Sequence, residues 1–158
     1  MLHKTITYTN FDGKEETVEA YFNLNKTECV DLNLEYEEEG GLVGHLKSLI
    51  ADSKGGEIRQ KPAVDFVKLL VERAYGVRPK DDPSLFLKED DNGRPLIKRF
   101  KQTAAYDAYV YGLLSGTESL DEFAENVMPP VSEEQKAEAA KLMQAEGLGE
   151  IVPMPVSK

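Results

Sequence analysis

The chain has 158 residues, enough for one ordinary domain. Its 41% hydrophobic and 30% charged residues fit a soluble globular protein rather than a disordered one. A formal net charge of -10 offers no Lys/Arg-dense face for phosphate contacts, which argues against nucleic-acid binding.

The single cysteine, Cys29, leaves no internal disulfide to form, which suits a reducing compartment. The opening MLHKTITYTN lacks the apolar core of a signal peptide. No stretch approaches the about 18 consecutive apolar residues of a membrane span. A cytoplasmic protein is expected, with neither membrane nor nucleic acid as partner.

Residues 4–9 alternate β-branched and aromatic side chains, and Thr17, Val18, Glu19, Ala20, Tyr21 and Phe22 read as a returning strand. Between them, Asp12-Gly13 supplies the positive φ of a tight hairpin turn. Ile6 and Tyr8 share a face, as do Val18, Ala20 and Phe22. A lone hairpin is marginal, so this apolar face must lie on the helices that follow.

Asn25 and Glu28 resemble a capping box and predict a helix over 26–38, with Val30 and Leu34 on one face. Gly40-Gly41 stops it. Leu42, Val43, Leu46, Leu49 and Ile50 predict a second helix ending before Gly55-Gly56. The strongest periodicity lies at 58–76. There Ala63, Val64, Val67, Leu70, Val71 and Ala74 mark one face, Phe66 and Tyr75 flank it, and Gly76 closes the helix.

Residues 79–95 read as a polar connection. It carries an apolar patch, Leu85-Phe86-Leu87, as a short strand or extended contact, and a turn at Asp91-Asn92-Gly93. Helical character returns over 96–100. Thr103 caps a helix that stops near Gly116, and Ser119 caps another ending at Met128-Pro129-Pro130. Ser132-Glu133-Glu134-Gln135 opens a last helix to about residue 146, before a Gly- and Pro-containing tail. The expected fold is α+β: an N-terminal β-hairpin packed on a mainly α-helical domain of about five to seven helices. Residues 1–130 form that domain, and 131–158 form a C-terminal helix and flexible tail.

Catalytic sets fail on named residues. Cys29 with His3 or His45 has no locally placed Asn or Asp to orient a base, and Cys29 reads better as a small apolar residue. One Cys and two scattered His make no zinc set. If Gly93 took the glycine place of a calcium loop, Lys88 and Arg99 would stand where carboxylates belong. Gly40-Gly41 and Gly55-Gly56 lack phosphate-loop spacing. No carboxylate pair stands out for hydrolysis. No enzyme activity, cofactor or metal is expected.

Binding surfaces remain. Glu35, Glu37, Glu38 and Glu39 read as a solvated helix end, or more sharply as a docking patch for a basic partner. Tyr106 and Tyr109 share a helix face and Tyr111 points elsewhere. The pair reads as core, or as a partner contact together with Leu85, Phe86 and Leu87.

The opening KTITYTNFDGKEETVEAYFNLNKTE resembles that of tail assembly chaperones from long, non-contractile-tailed phages of Gram-positive hosts. The resemblance continues at Glu72-Arg73-Ala74-Tyr75-Gly76-Val77. It runs through Phe100-Lys101-Gln102-Thr103-Ala104-Ala105-Tyr106 and ends near Phe123-Ala124-Glu125-Asn126-Val127-Met128-Pro129, so it covers about residues 3–130 in order. It implies a factor in the host bacterial cytoplasm that binds the tape measure protein, keeps its apolar helices from aggregating and helps recruit tail tube protein. Self-association is a further option. The family often makes a longer product by ribosomal frameshifting. No binding residue is carried over from the family. The alternative function is a structural virion component, such as a minor tail or tail-completion protein.

Overall fold

The computed structural model describes residues 1–52 and 60–129. The chain divides into two compact units: Met1–Asn25 with Asp52–Pro129, and a second that includes Lys26–Ala51.

In the first unit, strands β1 (Leu2–Thr9) and β2 (Glu15–Phe22) pair antiparallel, with a register running from Leu2 opposite Phe22 to Thr9 opposite Glu15. The turn is built by Asn10. Its Oδ1 accepts the amides of Asp12 and Lys14, both at 2.9 Å, and its carbonyl accepts the Gly13 amide at 3.0 Å. Gly13 sits at φ +79°, where a side chain would be strained. This turn chemistry carries pairing out to Glu15 and Glu16, which have no hydrophobic signal of their own. Pleat alternation sends Leu2, Ile6, Ala20 and Phe22 inward and leaves His3, Thr5, Thr7 and Glu19 outside.

After the two helices of the second unit, α1 (Lys26–Glu35) and α2 (Gly41–Asp52), the chain rejoins the first unit in helix α3. It spans Lys61–Ala74 with Pro62 in its first turn, where a missing N–H costs nothing. It buries Ala63, Phe66, Val67, Leu70, Val71 and Ala74. Phe66 thus belongs to the buried face, and Val64 is only half-buried.

The end of α3 differs from expectation. Tyr75 is already extended, and Tyr75–Gly76 forms a third strand, β3, paired antiparallel to Phe22 and Tyr21. Gly76 serves close approach rather than helix termination: a Cβ there would stand 2.1 Å from the Phe86 ring.

Three helices complete the unit: α4 (Ile97–Phe100), α5 (Ala104–Ser115) and α6 (Leu120–Val127). The predicted caps form. Thr103 Oγ1 accepts the Tyr106 amide at 3.2 Å, and Ser119 Oγ accepts the Glu122 amide at 3.0 Å. Helices α5 and α6 pack on β1, and α3 packs on β2 and α5. The architecture is α+β, a hairpin extended to a three-stranded sheet and packed on helices.

Phe22 is the centre of the core, with 0% exposure. Its ring stacks on Tyr109 at 5.3 Å and meets Tyr75, Phe123 and Phe100 edge-on at 5.9, 5.6 and 6.5 Å. Backbone bonds fix the chain around it. The Asn23 amide donates to Ala74 O at 2.8 Å, and the Leu24 amide to Val127 O at 2.9 Å.

In the second unit, α1 ends at Glu35, short of the predicted 38, and Glu37–Glu39 form a 3-10 turn. Leu32 is fully buried, whereas Val30 and Leu34 are exposed. Residues two apart on a helix point about 200° apart, so Val30 and Leu34 cannot share the side that Leu32 takes. Asn33 Oδ1 accepts the Leu42 amide at 2.8 Å and ties the start of α2 to α1. The Tyr36 and His45 rings stack at 4.6 Å. The predicted helix over 132–146, the tail, and the proposed boundary at 131 lie outside the described residues.

Truncating Phe22 to Ala should cost roughly 3–5 kcal/mol in denaturant unfolding, since four aromatic neighbours lose their common partner. Gly76→Ala should cost about 1–3 kcal/mol, because the Phe86 ring or the strand must move. Equal stability of G76A and the parent would mean that Phe86 has room to retreat.

Candidate functional site

The five residues expected to meet a partner separate in the structure. Tyr106 and Tyr109 lie in the core, and Tyr109 is 2% exposed. The Tyr106 hydroxyl donates to Glu72 Oε2 at 3.2 Å, and Glu72 Oε1 holds Lys101 Nζ at 3.2 Å. Lys4 Nζ lies 5.9 Å from the Tyr109 ring centre and 2.6 Å from Glu118 Oε1. Both tyrosine rings are buried in the first unit. Tyr111 is the exposed member of the cluster.

The Leu85-Phe86-Leu87 patch sits on a strap that runs from β3 to α4. Val77 and Leu87 exchange both backbone hydrogen bonds at 2.8 Å, so their side chains share one side of the strap. Val77 is exposed and Leu87 half-buried. Leu85 is 43% exposed, while Phe86 turns inward onto Gly76. The patch therefore splits, with Val77, Leu85 and Leu87 forming an apolar ledge above a Phe86 anchor.

Two cations hold the strap. Lys88 Nζ donates to Arg73 O at 2.7 Å and to Asn23 O at 2.9 Å. Arg73 lies in the last turn of α3, where the carbonyl ends favour a cation. The same ammonium lies 5.8 Å from the Phe86 ring centre. Arg78 Nη2 donates to Pro83 O at 2.7 Å, and its Nη1 meets the Met1 thioether at 3.4 Å. Met1 is itself exposed, so it adds to the apolar surface along the strap.

Local turns stiffen the remainder. Asp82 Oδ1 accepts from the Ser84 hydroxyl and amide at 2.5 and 3.1 Å, and these bonds hold the Asp82 carboxyl below its ordinary range. Asp90 Oδ1 accepts the amides of Asn92 and Arg94 at 2.8 and 2.9 Å. The turn signal at Asp91-Asn92-Gly93 is thus organised by Asp90 as an ordinary polar turn.

Sequence reasoning missed Val77, Arg78 and Met1. Their signal was weak: a single Val before Arg-Pro and an N-terminal Met have no periodicity to announce them. The acidic residues Glu37–Glu39 form the 3-10 turn of the second unit. His3 Nε2 lies 2.6 Å from Glu19 Oε1, and Thr5 Oγ1 donates to the same oxygen at 3.0 Å. Those bonds, the one from Thr5 foremost, hold the Glu19 carboxyl below its ordinary range. Among the described residues, no group of three or more His, Cys, Asp or Glu is placed to hold a metal ion, and no helix is long and apolar enough to cross a membrane.

What the fold offers is a sheet-and-helix body with an anchored, partly apolar strap, a surface suited to contact with another protein. The sequence profile of the phage tail assembly chaperone family matches residues 1–153, and the chain belongs to that family. No curated protein and no solved structure matches it.

The core tyrosines have a consequence in alkali. Burial raises the Tyr106 phenol above its ordinary value of 10.0, with Glu72 adding to the shift; burial also raises Tyr109, with Glu118 and Glu122 adding. A raised folded-state value means that the fold favours the protonated phenol. That stability is complete below about pH 10 and falls as pH rises beyond it toward the folded-state values. Phenolate absorbance followed with circular dichroism should show these two tyrosines ionising together with unfolding. Tyr109→Phe should move the alkaline midpoint upward; an unmoved midpoint would exclude Tyr109 as a contributor.

Proposed function

We propose that this chaperone binds the tape measure protein in the cytoplasm of the infected bacterium. It shields that protein's long apolar helices and helps bring tail tube subunits to it, by binding rather than catalysis. The observation that carries this reading is the apolar ledge of Val77, Leu85 and Leu87 on a strap clamped by Lys88 and Arg78. A shielding protein needs exposed apolar contact area, and it needs charge to keep the occupied complex dispersed. The net charge of -10 supplies the second. Anchoring the strap at both ends lowers the entropy lost when a partner settles on it. The similarity of the opening strand-turn-strand to chaperones of long, non-contractile-tailed phages supports the same partner.

Co-expression of this chain with the tape measure protein should raise the soluble yield of the latter and allow the two to be purified together. Leu85→Asp alters an exposed side chain, so its thermal midpoint should stay near that of the parent while the gain in yield falls several-fold. No co-purification from the parent chain would sink the reading. Stoichiometric presence of the chain in purified particles would favour a structural tail component instead.

A further inference from the structure

The hairpin reaches beyond the core it covers. Burial along it is confined to its base, at Leu2, Ile6, Ala20 and Phe22. From Thr7 round to Thr17 no side chain is buried. The strands thus continue for roughly 10 Å beyond Ile6 before the turn, at about 3.3 Å per residue.

This outer part is held by its own polar network. Tyr8 Oη donates to Glu16 Oε2 at 3.1 Å, and Asn10 Nδ2 donates to Glu16 Oε1 at 2.7 Å. The bond to Glu16 pushes the Tyr8 phenol up. Asn10 also closes the turn through two backbone amides. At the tip of this stiff ribbon stands Phe11, 83% exposed.

An aromatic ring at that place contributes no packing to the fold. Turn geometry at that position favours proline and tolerates most residues, so nothing in the turn itself requires Phe. Aromatic side chains are enriched at the centre of protein interfaces, and a backbone already fixed in its turn lowers the cost of seating one there. The flanking charges indicate what kind of partner. Asp12, Glu15 and Glu16 surround the tip against one cation, Lys14. In a chain of net charge -10, a second copy would bring like charge to like charge.

We propose that the hairpin is a docking arm whose Phe11 enters an apolar cleft rimmed by basic side chains on the tail protein that the chaperone carries. That the occupant is a tail protein rests on the function proposed above; the aromatic anchor and the basic rim rest on the arm itself. The arm and the ledge are separate contacts. Met1, which touches the strap through Arg78, stands at the opposite end of β1 from the turn, about 25 Å away over eight strand residues.

The test places a photo-crosslinking phenylalanine analogue at position 11, and at Thr7 as a control, in cells making the chain together with the phage tail proteins. A cross-link from position 11 to a tail protein identified by mass spectrometry, and none from position 7, is the expected result. Cross-linking to the tape measure protein supports both readings. Cross-linking to another tail protein supports the arm and removes the tape measure protein as its occupant. No adduct, an adduct with a second copy, or one with a host protein alone overturns the proposal. In parallel, Phe11→Ser should leave the thermal midpoint unchanged and reduce capture of the cross-linked protein at least about tenfold. Undiminished capture by a folded F11S chain also overturns it.

Discussion

The first unit depends on how Phe22 is enclosed. One side chain at the end of β2 meets rings from β3, α4, α5 and α6. Each of those elements is short, and α4 is a single turn. None would hold its place through its own backbone bonds, because short helices and isolated strand pairs are marginal in water. Their stability is collective and passes through this aromatic cluster. Tyr75 and Phe100 stack on one another at 4.2 Å, so the cluster is cross-braced and more than a set of contacts to one ring.

The strap inherits its position from that cluster. Tyr75 and Gly76 are held against β2, Phe86 seats on Gly76, and Phe100 closes the short helix α4 on the far side. Between them the strap is held mainly by hydrogen bonds from Lys88, Arg78 and the Val77–Leu87 backbone pair rather than by core packing. Exposed apolar side chains are therefore tolerated at Val77 and Leu85 without loss of the core. The hairpin tip has the same freedom for the same reason: the core uses only the base of the ribbon. Surfaces available for partners lie where the aromatic cluster makes no demand.

Much of this could be read from residue order. The hairpin was legible because Asp12-Gly13 marks a tight turn between two strand-like runs, whereas the part Asn10 plays as acceptor for the turn amides shows only in the folded chain. The helices at 104–115 and 120–127 were legible through Thr103 and Ser119, whose caps depend only on near neighbours. Strand β3 was not, since two residues carry no period and Gly76 resembles a helix stop; its purpose depends on Phe86, ten residues away. Val30 and Leu34 misled because they outnumber Leu32 on a helix with a poorly defined apolar side. The residues proposed for partner contact were least legible. Tyr106 and Tyr109 have the composition of an interface and the placement of a core, and Phe11 has the reverse. Only exposure separates the two, and exposure belongs to the assembled chain.

The bond from the Leu24 amide to Val127 also bears on how the protein is made. Its donor leaves the ribosome about one hundred residues before its acceptor. The hairpin is local and can form within microseconds, yet the rings that enclose Phe22 extend to Phe123. At ordinary rates of synthesis the apolar side of the new hairpin stays incompletely covered for roughly 5–20 s. A protein whose family tends the assembly of others thus passes through an interval of exposure of its own. The length of that interval is set by chain order and translation speed, and no side chain in the finished fold can shorten it.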